Sequence, residues 1–124
     1  MRTIAALALI AFASPALAQT SFQLSFGIAG DAQRRVVTYD CTPAEGEPTT
    51  MQVEYINAAP NFLAIVPLPE GSMIFASVIS GSGARYAAGQ YVWWTKGPEV
   101  DLYDTSQGED APPISHCSEH IQTP

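Results

Sequence analysis

Ser82 and Lys96 are the side chains whose types and spacing best fit a chemical role. They stand at opposite ends of one short stretch, residues 80–97, which reads SGSGARYAAGQYVWWTKG. A hydroxyl can donate a hydrogen bond or, with a base beside it, attack an electrophile. An ammonium can pair with carboxylates. The nucleophilic reading fails on context. His116 is a base of the right kind, but nothing in the sequence brings it to Ser82, and no nucleophile-elbow pattern surrounds the serine. Gly81-Ser82-Gly83 also lacks the remainder of a phosphate-binding loop and its strand-to-helix setting. A metal site built from His116, Cys117 and His120 has three ligands where zinc normally takes four, and its tail is rich in Ser, Gln, Thr and Pro. The two histidines are read as solvated. The expectation is a chain with no catalytic residue, no metal and no cofactor.

The elements that hold them are loops and strands. Glycine costs roughly 1 kcal/mol in a helix interior relative to alanine, so Gly81-Ser82-Gly83 reads as a tight loop. Tyr91-Val92-Trp93-Trp94-Thr95 has strand composition, and Lys96-Gly97-Pro98 ends it. Ser82 and Lys96 thus sit on two loops flanking one strand segment. Trp94 shares parity with Val92 and is expected in the core, leaving Trp93 to point outward as a binding anchor or to pack beneath a loop. Elsewhere the period is two. Phe22, Leu24, Phe26 and Ile28 alternate with small or polar residues, as do Val37, Tyr39 and Cys41, then Met51, Val53 and Tyr55, then Val100 and Leu102. Residues 62–66 and 73–79 are apolar on both faces. Turn signals lie at 42–48 and 57–61, and a polar, proline-ended loop occupies 104–113. About eight short strands and no helix predict an all-β fold, a small antiparallel β-barrel whose closure removes exposed edges. The segment Phe22–Ile28 is read as an added or lengthened strand.

Residues 1–18 read as a secretory signal peptide: Arg2, an apolar run from Ile4 to Phe12, and Ala16-Leu17-Ala18 as the cleavage site. Removing 18 of 124 residues leaves 106, enough for one domain, residues 19–124. No cysteine follows the cleavage site to accept a lipid, so the mature form is expected without a membrane anchor. That form has four basic residues, Arg34, Arg35, Arg85 and Lys96, against twelve acidic ones, a formal charge of −8. Nucleic acid and anionic lipid demand a basic face and are poor partners, whereas a basic protein is favoured. Export to an oxidising compartment makes a Cys41–Cys117 disulfide the expectation. It would close a loop of 76 residues, worth roughly 4 kcal/mol in the chain-entropy picture.

Ser82-Gly83-Ala84-Arg85-Tyr86, followed by Tyr91 and Thr95-Lys96-Gly97, resembles the paired signature of the bacterial inhibitors of c-type lysozyme, membrane-bound and periplasmic. Val37-Thr38-Tyr39-Asp40-Cys41 and the late Cys117 match its framing strand and cysteines, so the resemblance covers about residues 36–117. It implies an eight-stranded antiparallel barrel, a c-type lysozyme as partner and a soluble periplasmic location. It also implies that Lys96 enters the lysozyme active site to pair with its catalytic carboxylates, with Ser82 hydrogen-bonding beside it. Residue types alone leave Ser82 a plain turn residue and Lys96 a solvated lysine. The signature makes Ser82, Gly83, Arg85, Tyr86, Tyr91, Thr95, Lys96 and Gly97 the lysozyme-binding set. Within it Arg85 is expected to brace its loop against an acidic neighbour such as Glu99 or Asp101. Tyr86 and Tyr91 are expected to pack with their hydroxyls at the rim, and Thr95 to add a rim hydrogen bond. Pro98 and the apolar turn Ala87-Ala88-Gly89 depart from the family pattern without removing a motif residue. The alternatives are a small-ligand-binding barrel and an envelope module for another target, since a fold does not fix a function.

Overall fold

A computed structural model of the chain describes residues 27–121 continuously, together with Ala11, Ala13, Ser14, Gln23 and Ser25. The leader reading of residues 1–18 falls almost wholly outside the described residues. In chain order the strands are β1 (Gln33–Pro43), β2 (Thr49–Ala58), β3 (Asn61–Leu68), β4 (Gly71–Val78), β5 (Ala84–Ala88), β6 (Tyr91–Lys96), β7 (Glu99–Asp104) and β8 (Ser115–Glu119). A single 3-10 turn, Thr105–Gln107, interrupts the β7–β8 loop. Each strand pairs antiparallel with the next, and β1 pairs with β8, so the sheet closes. The period-two alternation predicted this class, and closure satisfies the backbone groups that an open edge would leave bare.

The closing seam carries the disulfide. Cys41 on β1 and Cys117 on β8 are direct cross-strand partners, with Cα atoms 4.0 Å apart. Inside, Val37 and Tyr39 of β1, Val53 and Tyr55 of β2, Ala64 and Val66 of β3 and Phe75 of β4 meet Trp93 of β6 and Leu102 of β7. Burying a side chain such as Phe75 contributes roughly 2–3 kcal/mol. The polar tips of the large residues satisfy one another. Trp93 Nε1 donates to the Tyr55 hydroxyl at 2.9 Å, and the Tyr55 and Tyr39 hydroxyls hydrogen-bond at 2.8 Å. Tyr39 also meets the Trp93 ring edge-on at 5.5 Å. Burial first, then this hydrogen bond, pushes the Tyr39 phenol far up, and burial raises Tyr55 as well.

This reverses the expectation for the tryptophans. Trp93 is the inward residue, 0% exposed, and Trp94 lies on the outer surface. Val92 misled the parity because it is buried from the outside. It lies against Thr105, Gly108, Glu109 and Ala111, the loop that follows β7. The expected N-terminal strand, Phe22–Ile28, lies in large part outside the described residues. Gln23, Ser25 and residues 27–30 are in no strand, while Phe22, Leu24 and Phe26 lie outside the described residues. β1 pairs with β2 from Gln33 to Cys41 and with β8 from Tyr39 to Pro43.

Candidate functional site

Two hairpin connections meet at one end of the barrel. Residues 79–83 join β4 to β5, and Gly97-Pro98 joins β6 to β7. Strand pairing sets Ala84 opposite Thr95. That register brings Gly83 onto the backbone of Thr95. Gly83 has φ of +63°, and a β-carbon built on it would lie 2.1 Å from the Thr95 carbonyl oxygen and 3.1 Å from Lys96 Cγ. Only a residue without a side chain permits this approach. The contact makes Ser82 and Lys96 neighbours, and both are exposed.

Trp94 ties the two loops from the outer surface. Its Nε1 donates to the Ser82 carbonyl at 2.9 Å, and the Ser80 hydroxyl donates to the same oxygen. With its carbonyl held, Ser82 presents its hydroxyl from a fixed backbone. Lys96 Nζ stands over the Trp94 ring, 4.2 Å from the centroid, and the Arg85 guanidinium stands over it at 4.9 Å. Both are cation–π distances. Thr95 points into the barrel mouth, and its hydroxyl donates to the Ala84 carbonyl at 3.3 Å. There it lines a small polar cavity of about 140 Å³ with Arg35, Tyr39, Tyr86 and Glu119, which the Arg35–Glu119 ion pair at 3.3 Å crosses.

Several expected roles change. Arg85 does not brace against Glu99 or Asp101. Those carboxylates engage His116, whose Nδ1 donates to Asp101 at 2.7 Å and whose Nε2 meets Glu99 at 2.8 Å. The Ser118 hydroxyl also donates to Glu99. Arg85 is held by stacking on Trp94, and its buried Nε has no hydrogen-bond partner among the described residues. The histidines, read as solvated, are exposed but paired, since His120 Nδ1 donates to Asp40 at 2.7 Å. The hydrogen bond that His116 donates to Asp101 raises the His116 pKa against a smaller opposing effect of burial. Tyr86 is buried against Tyr55, with ring centroids 5.8 Å apart. Tyr91 lies at the opposite end of β6, roughly 16 Å along the strand from Lys96. Its hydroxyl donates to Glu70 at 2.8 Å. The fold therefore gathers Ser82, Gly83, Arg85, Tyr86, Thr95, Lys96 and Gly97 and leaves Tyr91 out. It adds two residues that the sequence reading missed. Trp94 had been assigned to the core. Ile79, 95% exposed, sits at the start of the Ser82 loop. A large apolar side chain in a loop beside two glycines was the available signal.

Among known proteins, the family described as membrane-bound lysozyme-inhibitor of c-type lysozyme (MliC) matches residues 39–111. A Pseudomonas aeruginosa protein named membrane-bound lysozyme inhibitor of C-type lysozyme is 45% identical over 93 residues, covering 73% of this chain and 70% of that protein. A Cupriavidus necator protein of the same name is 39% identical over 84 residues, covering 67% and 64% respectively. The crystal structure of Pseudomonas aeruginosa MliC in complex with hen egg white lysozyme matches the barrel with a TM-score of 0.62 at 38% identity, over 83% of this chain and 98% of that one. By sequence and by fold, the chain belongs to the membrane-bound lysozyme-inhibitor of c-type lysozyme family.

Proposed function

We propose that this chain inhibits c-type lysozyme by seating the Ser82 and Lys96 loops in the active-site cleft of the enzyme. The observation that carries the reading is the Gly83–Thr95 contact, which sets the exposed Ser82 loop against the strand end that bears the exposed Lys96. A retaining glycosidase holds its two catalytic carboxyl groups about 5 Å apart. A cation and a hydroxyl donor placed between them satisfy both and exclude the sugar. Inhibition is then competitive and involves no bond making or breaking by the inhibitor. Trp94 keeps Lys96 gathered near the loop until a carboxylate pair replaces the ring, and Ile79 supplies an apolar contact beside the polar pair. The neighbouring MliC structure, solved with hen egg white lysozyme, supports the choice of partner. The site of action is the cell envelope. We propose that residues 1–18 direct export with cleavage after Ala18, and that residues 19–124 act as one soluble periplasmic domain.

Clearing of a bacterial cell-wall suspension by c-type lysozyme tests the reading. Added mature protein is expected to slow clearing, and a folded Ser82→Ala, Lys96→Ala variant to lose most of that effect. A folded parent without effect on clearing would overturn the function, and a fully active variant would overturn the site. One feature favours a second ligand class. At the Tyr91 end, Met51, Leu68, Leu102, Ile114 and flanking prolines line an apolar hollow of about 490 Å³. Binding of an apolar fluorophore that is abolished by Leu102→Glu is the outcome that would support a small-ligand role there.

A further inference from the structure

Lys96 stands beside a carboxylate that it does not use. On the outer wall its cross-strand partner is Glu99, and the β-carbons of such a pair lie roughly 5 Å apart, within easy reach of an ion pair. Instead Lys96 Nζ stands over the Trp94 ring at 4.2 Å and, among the described residues, makes no ion pair. The Glu99 carboxylate is drawn the other way, towards β8. His116 Nε2 meets it at 2.8 Å, and the Ser118 hydroxyl donates to it at 2.8 Å.

His116 can hold Glu99 in this way in one charge state only. Its Nδ1 is bonded to Asp101 at 2.7 Å, and a neutral imidazole carries a single N–H. Both contacts at once require the imidazolium. Loss of its proton leaves one carboxylate facing a nitrogen lone pair. Asp101 is the better held of the two: it is the direct cross-strand partner of His116, and its side chain is 30% exposed against 49% for Glu99. Glu99 is therefore the one released. The groups around the cluster direct where it turns. On β1, Thr42 is paired with His116 and Asp40 with Ser118, and Asp40 is occupied by His120 at 2.7 Å. On β7 the Tyr103 phenol adjoins Asp101, and on β5 Arg85 is stacked on Trp94. The cation within strand reach of a freed Glu99 is Lys96.

We infer that Glu99 is an internal competitor for Lys96, and that His116 and Ser118 are positioning residues that hold it off. With His116 protonated, the lysine is open to a partner's carboxylates; with His116 neutral, Glu99 takes it. The inference rests on the reading of Lys96 as the cation that meets lysozyme. The Asp101 hydrogen bond raises the His116 pKa, so the open arrangement extends above the ordinary histidine range and is lost as pH rises through the folded value.

Glu99→Gln keeps the shape of the side chain and removes the competing charge. Calorimetric titration of parent and variant with the same c-type lysozyme, at about pH 5.5 and about pH 8.5, cancels the titration of the enzyme itself. The ratio of parent to variant dissociation constants is expected to rise about threefold from the lower pH to the higher, the size suited to an exposed ion pair. A ratio that is the same at both would overturn the inference. The free protein gives a second readout. The Trp94 ring current is expected to shield the Lys96 ε-methylene protons of the parent at the lower pH and to lose that effect at the higher, whereas Glu99→Gln keeps it at both. A folded His116→Ala variant is expected to lack it at both. Shielding in the parent that does not change with pH would equally overturn the inference. This readout needs no partner, so it separates the two ideas: a parent that shows the change yet binds no lysozyme would overturn the proposed function and leave the competition between Glu99 and its partners supported.

Discussion

A methyl group at position 83 would lie 2.1 Å from the Thr95 carbonyl oxygen on a backbone of positive φ. Gly83→Ala must therefore lift the Ser82 loop from Lys96. The expected result is a rise of at least about tenfold in the inhibitor concentration that halves lysozyme clearing, because a cation and hydroxyl set apart no longer match one carboxylate pair. On the proposed seating, Lys96→Ala removes a charge-assisted contact desolvated in the cleft, a change expected to cost roughly 2–5 kcal/mol of binding. Calorimetric titration with lysozyme measures it, and a loss smaller than tenfold would remove Lys96 from the centre of the interface. Ile79 offers a third test at this scale. Ile79→Ser is expected to weaken binding by roughly tenfold with no change in the melting temperature, since the side chain packs against nothing in the free protein. The glycine, serine and lysine proposed for the site stand out in the sequence as a motif. That Trp94 organises them is not legible there, because the indole–Ser82 hydrogen bond and the two stacked cations exist only once β5 and β6 pair.

At the scale of elements, the β1–β8 seam joins the two ends of the chain and depends on the single disulfide. Replacing Cys41 and Cys117 by serine releases a loop of 76 residues. The expected loss is about 4 kcal/mol of unfolding free energy, measured as a lower denaturant midpoint with the slope retained. The outer face where β7 meets β8 carries a second, pH-dependent tie. His116 has its folded pKa raised by its Asp101 hydrogen bond, so its stabilising effect is fully present below the unfolded histidine value and fades as pH rises through the folded one. The melting temperature of the parent relative to His116→Gln is thus expected to be higher near about pH 5.5 than near about pH 8.5. The pair is exposed, so the effect is small and falls with added salt. A parent-to-variant difference that is the same at both pH values would remove His116 from this role.

For the whole molecule, residues 19–124 carry four basic side chains against twelve acidic ones. An acidic inhibitor and a basic c-type lysozyme attract at long range. The association rate is therefore expected to fall steeply, about tenfold, between low and physiological salt, with dissociation changing far less. Stopped-flow mixing separates the two rates. A salt-independent association rate would confine the electrostatics to the Lys96 contact itself. The barrel end that presents this lysine lies opposite the apolar hollow of Met51, Leu102 and Ile114, so the two surfaces are open to separate substitution.

Strand alternation, turn residues and two cysteines determined the class of fold, and the Ser82–Lys96 signature pointed to the residues proposed for the site, because each is a local property of the chain. Tertiary structure alone decided which alternating face turns inward. Val92 and Trp93 are both buried, one under the β7–β8 loop and one inside the barrel, so period two could not choose between them. It also decided that Tyr91 belongs to the far end of the barrel and that Glu99 and Asp101 hold His116 and not Arg85. Each of these depends on strands distant in sequence meeting in one register, and no local pattern of residues specifies that register.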